Sequence, residues 1–235
     1  MINEKKQYPY EILLLDLDNT LLNFTDSEAV ALPKVFAQHG YELTEEVYEV
    51  YKKVNHGLWS DFENDLIEME DISKNRFAKT MERFGVIIDG EAWDNQYREN
   101  ICEAGCLMPG VKEVITELAK THRLFVATNG FTKTQMNRLD KTGILHCFEA
   151  VFTSQEIRSQ KPKAAFFQYI KEHIKGFQIE KALMIGDSLK NDIQGASEVG
   201  LDTCYIWAVN GDLSSPIKRT YEIEHLRELL EIVRG

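Results

Sequence analysis

No stretch of the sequence approaches the ~18 consecutive apolar residues needed to cross a bilayer, and its first ten residues, MINEKKQYPY, hold no apolar run of the secretory kind. A cytoplasmic location is the resulting expectation. Cysteine is sparse: Cys102, Cys106, Cys147 and Cys204 include no CxxC pair, which argues against both a disulfide framework and a zinc ribbon. Cys102 and Cys106 are spaced to share a helix face, but no nearby Cys or His would complete a tetrahedral zinc site. All four read as buried structural thiols. Positive charge is short too. Lys and Arg number 27 against 38 Asp and Glu, a formal net charge of −11. Such a surface repels a phosphate backbone and an anionic membrane alike, so neither a nucleic-acid polymer nor a membrane is expected as a partner.

What the chain does have is the material for a core: 43% of its 235 residues are hydrophobic, enough for one large domain or a domain with a smaller second unit. Short apolar runs at 12–15, 124–127, 150–152, 183–185 and 203–207 read as strands. Their apolarity is continuous rather than alternating, the pattern of a parallel sheet covered on both faces. Between them, 111–120, 133–141, 164–175 and 192–199 have helical composition, with Gly143 and Gly200 as stop signals. Alternating strand and helix predicts a doubly wound, Rossmann-like α/β fold.

That rhythm is missing between the first two strands, where four helices are expected at 27–39, 44–58, 73–84 and 90–103. Thr44 is a candidate N-cap, Gly85 a stop, and Pro33 predicts either a later start or a kink in the first helix. The division expected is an α/β core of residues 1–22 and 106–235 with a helical insert at 23–105. The segment 221–233 reads as an edge strand followed by an amphipathic helix.

Open parallel sheets bind ligands at the carboxyl ends of their strands, and here those ends are polar. Asp16-Leu17-Asp18-Asn19-Thr20 follows the first strand and Thr128-Asn129-Gly130 the second; Lys161-Pro162 precedes the fourth, and Gly186-Asp187-Ser188 follows it, with Asp192 five residues on. Any one Asp after a strand is most often a turn former or a cap; the ordered set is far more specific. Asp16, Asp18 and Asp187 would repel one another unless a cation lay among them, and oxygen ligands without His or Cys favour Mg²⁺. Lys161 adds a fixed positive charge. This inventory suits phosphoryl transfer: one carboxylate as nucleophile, a second as general acid and base, and the Thr128 hydroxyl with the backbone N–H groups after the strands, that of Asn129 among them, as phosphate contacts. The partner expected is therefore a small phosphorylated metabolite.

Four segments taken in order resemble the motifs of the haloacid dehalogenase superfamily: Leu14 to Leu21, Val126 to Gly130, Lys161-Pro162, and Ile185 to Asp192. The resemblance implies Asp16 as nucleophile, Asp18 as acid/base, Thr128 and Lys161 as phosphoryl binders, and Asp187 as a Mg²⁺ ligand beside Asp16 and the Asp18 carbonyl. It further implies Asp192 as a supporting acid and the insert as a mobile cap that selects substrate. Val54 to Trp59, Asn75 to Phe77, Phe131, Gln135 and Arg138-Leu139 are similar to the pyrimidine nucleoside 5'-monophosphatase branch, which makes Asn55, His56, Trp59 and Arg76 candidate cap contacts to substrate. Against that stand plainer readings: His56 and Trp59 as packing residues, Arg76 as the partner of a surface acid, Phe24 as either a base contact or a hinge seal, and the acids at 45–46 and 63–70 as solvated faces. Arg158 stands where the branch tends to have Gly, and Trp207 is displaced from its aromatic.

The function expected is a Mg²⁺-dependent phosphomonoesterase. A phosphomutase would use the same four motifs, whereas a dehalogenase has no need of Asp18. A non-catalytic module, such as a receiver domain, is shorter and lacks the insert; a degenerate relative would have lost a motif, and none is lost here.

Overall fold

A computed structural model describes residues 9–207, 209 and 211–234. Residues 1–8, which contribute most of the segment read above for a secretory signal, lie outside the described residues. No described helix is long and apolar enough to cross a membrane. The strands are β1 (Ile12–Leu15), β2 (Arg123–Thr128), β3 (Ala150–Thr153), β4 (Ala182–Gly186), β5 (Asp202–Ile206) and β6 (Tyr221–Ile223), in one sheet of order β3-β2-β1-β4-β5-β6. Every pairing is parallel, so this is the doubly wound α/β arrangement, with its reversal of winding between β1 and β4.

The chain divides into two compact units. One comprises the chain up to Asn23 together with Leu107 onward; the other is Phe24–Cys106. The second holds four helices: α1 (Phe24–Gln38), α2 (Glu45–Glu63), α3 (Met69–Glu82) and α4 (Gly90–Ala104). The first adds α5 (Val111–Leu118), α6 (Thr132–Thr142), α7 (Ser154–Ile157), α8 (Ala164–His173), α9 (Gly195–Glu198) and α10 (Leu229–Arg234). A π-helical stretch, Leu189–Gln194, leads into α9, so the helix expected to start at 192 starts earlier and in a wider winding.

Continuous apolarity in the strands has the expected cause. Leu13 and Leu15 of β1 and Leu183 and Ile185 of β4 pack with Val111, Ile115 and Leu118 of α5 and with Leu229 and Val233 of α10. Their neighbours Ile12, Leu14, Ala182 and Met184 point to the opposite face, against Phe166, Phe167 and Ile170 of α8. Strands β1 and β4 therefore each spend both side-chain rows on a core.

In the helical unit the core is aromatic. Phe77 is fully buried, with ring centroids 5.4 Å from Tyr51, 5.5 Å from Tyr97 and 5.8 Å from Trp93. Thr44 caps α2 by accepting from the Val47 N–H at 3.3 Å. Helix α1 starts earlier than expected, at Phe24, and continues through Pro33. Both Pro33 and Ala29, the residue whose carbonyl loses its partner, are exposed, so the missing donor costs less than it would in a buried turn. Phe24 packs on the aromatic core of its own unit.

Two local expectations need correction. Only Cys102 and Cys204 are buried, Cys106 being exposed and Cys147 half-buried. Helix α4 ends at Ala104, so Cys102 and Cys106 share no helix face. Arg158 has φ +58°, a left-handed conformation in which a glycine carries no Cβ penalty.

Phe77→Ala should lower the unfolding free energy by about 3–5 kcal/mol, measured by urea unfolding followed through tryptophan fluorescence. A loss below about 1 kcal/mol would mean that the aromatic cluster closes over the void.

Candidate active site

Register places the site. Leu15 is level with Val126 on one side and with Ile185 on the other. The next residue, Asp16, is therefore level with Ala127 and Gly186, and the polar segments after β1, β2 and β4 meet at one end of the sheet. Beyond Asp16 the chain leaves the extended form: the N–H groups of Leu21 and Leu22 both bond the Leu17 carbonyl, and Asn19 has φ +57°.

Lys161 sits at the centre, 2% exposed. Its ammonium donates to Asp16 Oδ1 at 2.7 Å, to the Ala127 carbonyl at 2.7 Å and to Asp192 Oδ1 at 2.5 Å. All three of its protons are thus spent on protein oxygens. Burial by itself would lower the Lys161 pKa, but Asp16 and Asp192 outweigh it and hold the ammonium above its ordinary range. Its backbone is held by Asn129, whose side-chain oxygen accepts from the Lys161 N–H at 2.8 Å and whose amide donates to the Lys161 carbonyl at 2.9 Å. The Asn129 side chain is thus spent on positioning Lys161, which leaves only its backbone N–H for the phosphate contact expected of it.

Carboxylate oxygens of Asp16, Asp187 and Asp192 lie within 4.8 Å of one another. Burial pushes the Asp16 carboxyl well above the ordinary range; Lys161 opposes the rise, while Asp192 and Asp187 add to it. Three carboxylates against one ammonium leave an excess of negative charge in a low-dielectric site, which a hard divalent cation would neutralise. The residues therefore fit a magnesium ion by charge and by donor chemistry. Asp192, the expected supporting acid, accepts from Lys161 through Oδ1 and from the Ser188 N–H through Oδ2 at 3.0 Å.

Asp18 has a separate set of partners. Gln135 Nε2 donates to its Oδ2 at 2.7 Å and Arg138 Nη1 donates to its Oδ1. The same Gln135 amide reaches Thr128 Oγ1 at 3.1 Å. The sequence marks Gln135 and Arg138 only as part of a likeness; their i, i+3 spacing on a helix directly after a polar strand end is the signal that could have assigned them a place here.

The cap candidates are dispersed. Asn55, His56 and Trp59 lie on α2; Trp59 packs edge-on against Phe62 with centroids 6.0 Å apart, and His56 is exposed. The Asn55 side-chain oxygen is buried without a hydrogen-bond partner. Arg76 departs from both of its expected roles. It is buried in the core of the helical unit, where it pairs with the fully buried Asp94 and lies 4.5 Å from the Tyr97 ring centroid, so its side chain is consumed inside that unit.

One glycine is dictated by this geometry. A Cβ on Gly186 would lie 2.2 Å from Asp192 Oδ2, so the carboxylate that pairs with Lys161 occupies the space a side chain would need. Gly186→Ala should lower the unfolding free energy by about 1–3 kcal/mol through overpacking, measured by denaturant unfolding. An unchanged stability would show that Asp192 can move without cost.

Comparison with known proteins agrees with this geometry. A family model described as haloacid dehalogenase-like hydrolase matches residues 10–200. YfnB of Bacillus subtilis is 35% identical over 227 residues, covering 95% of both chains. The pyrimidine 5'-nucleotidase PynA of Streptococcus pneumoniae is 34% identical over 94% of both chains. The pyrimidine 5'-nucleotidase YjjG of Escherichia coli is 29% identical over 95% of this chain and 98% of its own. The crystal structure of YfnB, bound to magnesium and described as revealing interdomain movement, aligns with a TM-score of 0.89 over 96% of this chain and 99% of that one. With a family match spanning most of its length and relatives aligned nearly end to end, the chain belongs to the haloacid dehalogenase-like hydrolases.

Proposed function

We propose that the protein is a Mg²⁺-dependent phosphomonoesterase that acts through an aspartyl-phosphate on Asp16, with pyrimidine nucleoside 5'-monophosphates as the first substrates to test. The observation that carries this reading is the clustering of Asp16, Asp187 and Asp192 at the carboxyl ends of the strands, with Asp16 and Asp192 bonded to one buried ammonium. The nucleotide preference draws on likeness to two pyrimidine 5'-nucleotidases.

In the first step an Asp16 carboxylate oxygen attacks phosphorus, the bond from phosphorus to the ester oxygen breaks, and Asp18 gives its proton to the departing alkoxide. In the second step water attacks phosphorus, Asp18 takes its proton, and the acyl-phosphate bond breaks to release inorganic phosphate and restore Asp16. Thr128 and Lys161 bind the phosphoryl oxygens, Lys161 exchanging one of its present protein contacts for the ligand. Asp16, Asp187 and the Asp18 carbonyl would hold Mg²⁺, which supplies positive charge beside the phosphoryl group. Asp192 keeps Lys161 in place. Residues 23–105 are read as the cap, with Asn55, His56 and Trp59 of α2 as the candidate substrate contacts; the unpartnered Asn55 oxygen supports that choice.

The deciding experiment measures phosphate release from a panel of nucleoside, sugar and simple alkyl monophosphates, with Mg²⁺ and with EDTA. Asp16→Asn should reduce turnover by at least about a thousandfold while the far-UV circular dichroism is retained; substantial residual turnover would remove Asp16 as nucleophile. EDTA should abolish release and excess Mg²⁺ restore it. Activity undiminished by EDTA, or halide release from a 2-haloacid, would favour a dehalogenase.

A further inference from the structure

Asp18, Gln135 and Arg138 form a closed hydrogen-bonded circuit, to which Thr128 is joined through Gln135. Gln135 and Arg138 are almost fully buried, at 2% and 1% exposure, whereas the Asp18 side chain is 31% exposed. Two buried side chains of α6 thus grip, from behind, a carboxylate that faces outward. Placing a guanidinium at 1% exposure is costly unless its partners repay the lost hydration.

The donors and acceptors in the circuit can be counted. Arg138 Nη1 donates to Gln135 Oε1 at 2.8 Å as well as to Asp18. That contact fixes which end of the Gln135 amide is oxygen, and so turns Nε2 toward Asp18 and Thr128. The two protons on Nε2 are then both used, one on Asp18 Oδ2 and one on Thr128 Oγ1. Thr128 Oγ1 accepts a second bond from the Gly130 N–H at 3.1 Å. A hydroxyl has two acceptor sites and one donor; with both acceptor sites filled, the Thr128 proton must be donated elsewhere, as a phosphoryl oxygen requires. Gly130 makes room for this arrangement, since a Cβ there would lie 2.1 Å from Gln135 Nε2.

We infer that Gln135 and Arg138 are positioning residues for the acid/base step: Arg138 orients the Gln135 amide, and Gln135 sets both the Asp18 carboxylate and the direction of the Thr128 proton. This rests on the reading of Asp18 as acid/base. It also divides the labour within the site, because Asp16 is governed by Lys161 and Asp18 by α6, with no side-chain partner shared between them among the bonds described.

The test uses the full-length enzyme with Mg²⁺ and two kinds of monoester. A 4-nitrophenyl leaving group departs as a stabilised anion and needs little protonation, whereas an alkyl ester such as a nucleoside 5'-monophosphate leaves as an alkoxide that does. The readout is the ratio of kcat/KM for the aryl ester to that for the alkyl ester, which a purely structural defect would not move. General acid catalysis contributes about 10²–10⁴-fold, so Asp18→Asn, Arg138→Met and Gln135→Met should each raise the ratio by at least about tenfold. Gln135→Met should also lower both kcat/KM values, because Thr128 loses its fixed orientation. Should Arg138→Met not fold, Gln135→Met and the near-isosteric Gln135→Glu carry the test, since neither removes a buried cation. An unchanged ratio in the Arg138 and Gln135 variants, alongside a raised ratio in Asp18→Asn, would overturn the positioning role alone. An unchanged ratio in Asp18→Asn as well would overturn the acid/base reading on which it rests.

Discussion

A single buried ammonium organises the end of the sheet where β1, β2 and β4 finish. Lys161 is tied to Asp16, Asp192 and the Ala127 carbonyl, so it fixes residues that lie 145 and 31 positions away along the chain. Removing one partner from such a buried pair costs on the order of 3–5 kcal/mol, because the other charge is left without compensation. The neighbouring features follow from keeping that ammonium in place. Asn129 pins its backbone, and Gly186 leaves room for Asp192.

The same constraint explains how an acidic protein can handle an anionic ligand. A formal net charge of −11 disfavours extended polyanions. Several of those acids are concentrated in the site, however, where Lys161 offsets only part of their charge and the remainder creates a demand for a cation. With such a cation bound, the local field would be set by the ion and the ammonium rather than by the surface. The helical unit contains a related device: Asp94, fully buried, is paired with both Arg76 and Arg98, and the Arg76 guanidinium lies beside Tyr97. A buried acid flanked by two guanidiniums ties α3 to α4 within an otherwise aromatic core, where unpaired charge would be costly.

The inner strands β1, β2, β4 and β5 were legible because they are buried on both faces, which leaves a largely unbroken apolar run in the sequence; β1 lies at 12–15 as expected, and the others differ by a residue or so at their ends. The core of the site was legible for a related reason. Residues at strand ends keep a fixed offset from an apolar run, so Asp16, Thr128 and Asp187 stand out against it. Arg76 was misjudged, and the side-chain role of Asn129 went unseen, because residue type carries no information about which partner is nearest: an amide can bind a ligand or a backbone, and a guanidinium can face a ligand or a buried acid. The π-helical start at Leu189 was hidden because one extra residue per turn leaves the composition of a segment unchanged.

By itself, then, the sequence determined the α/β class, the helical insert and the order of the four polar segments, since these depend on local composition and on position relative to apolar runs. Tertiary structure alone decided how the charges are shared. Which carboxylates surround Lys161, that Asp18 belongs to Gln135 and Arg138, and that Thr128 is left with only a proton to offer are matters of distance between segments far apart in the chain. Hydrogen bonds and ion pairs act over a few ångströms, and the parallel register of β1 with β2 and β4 is what brings those groups within reach.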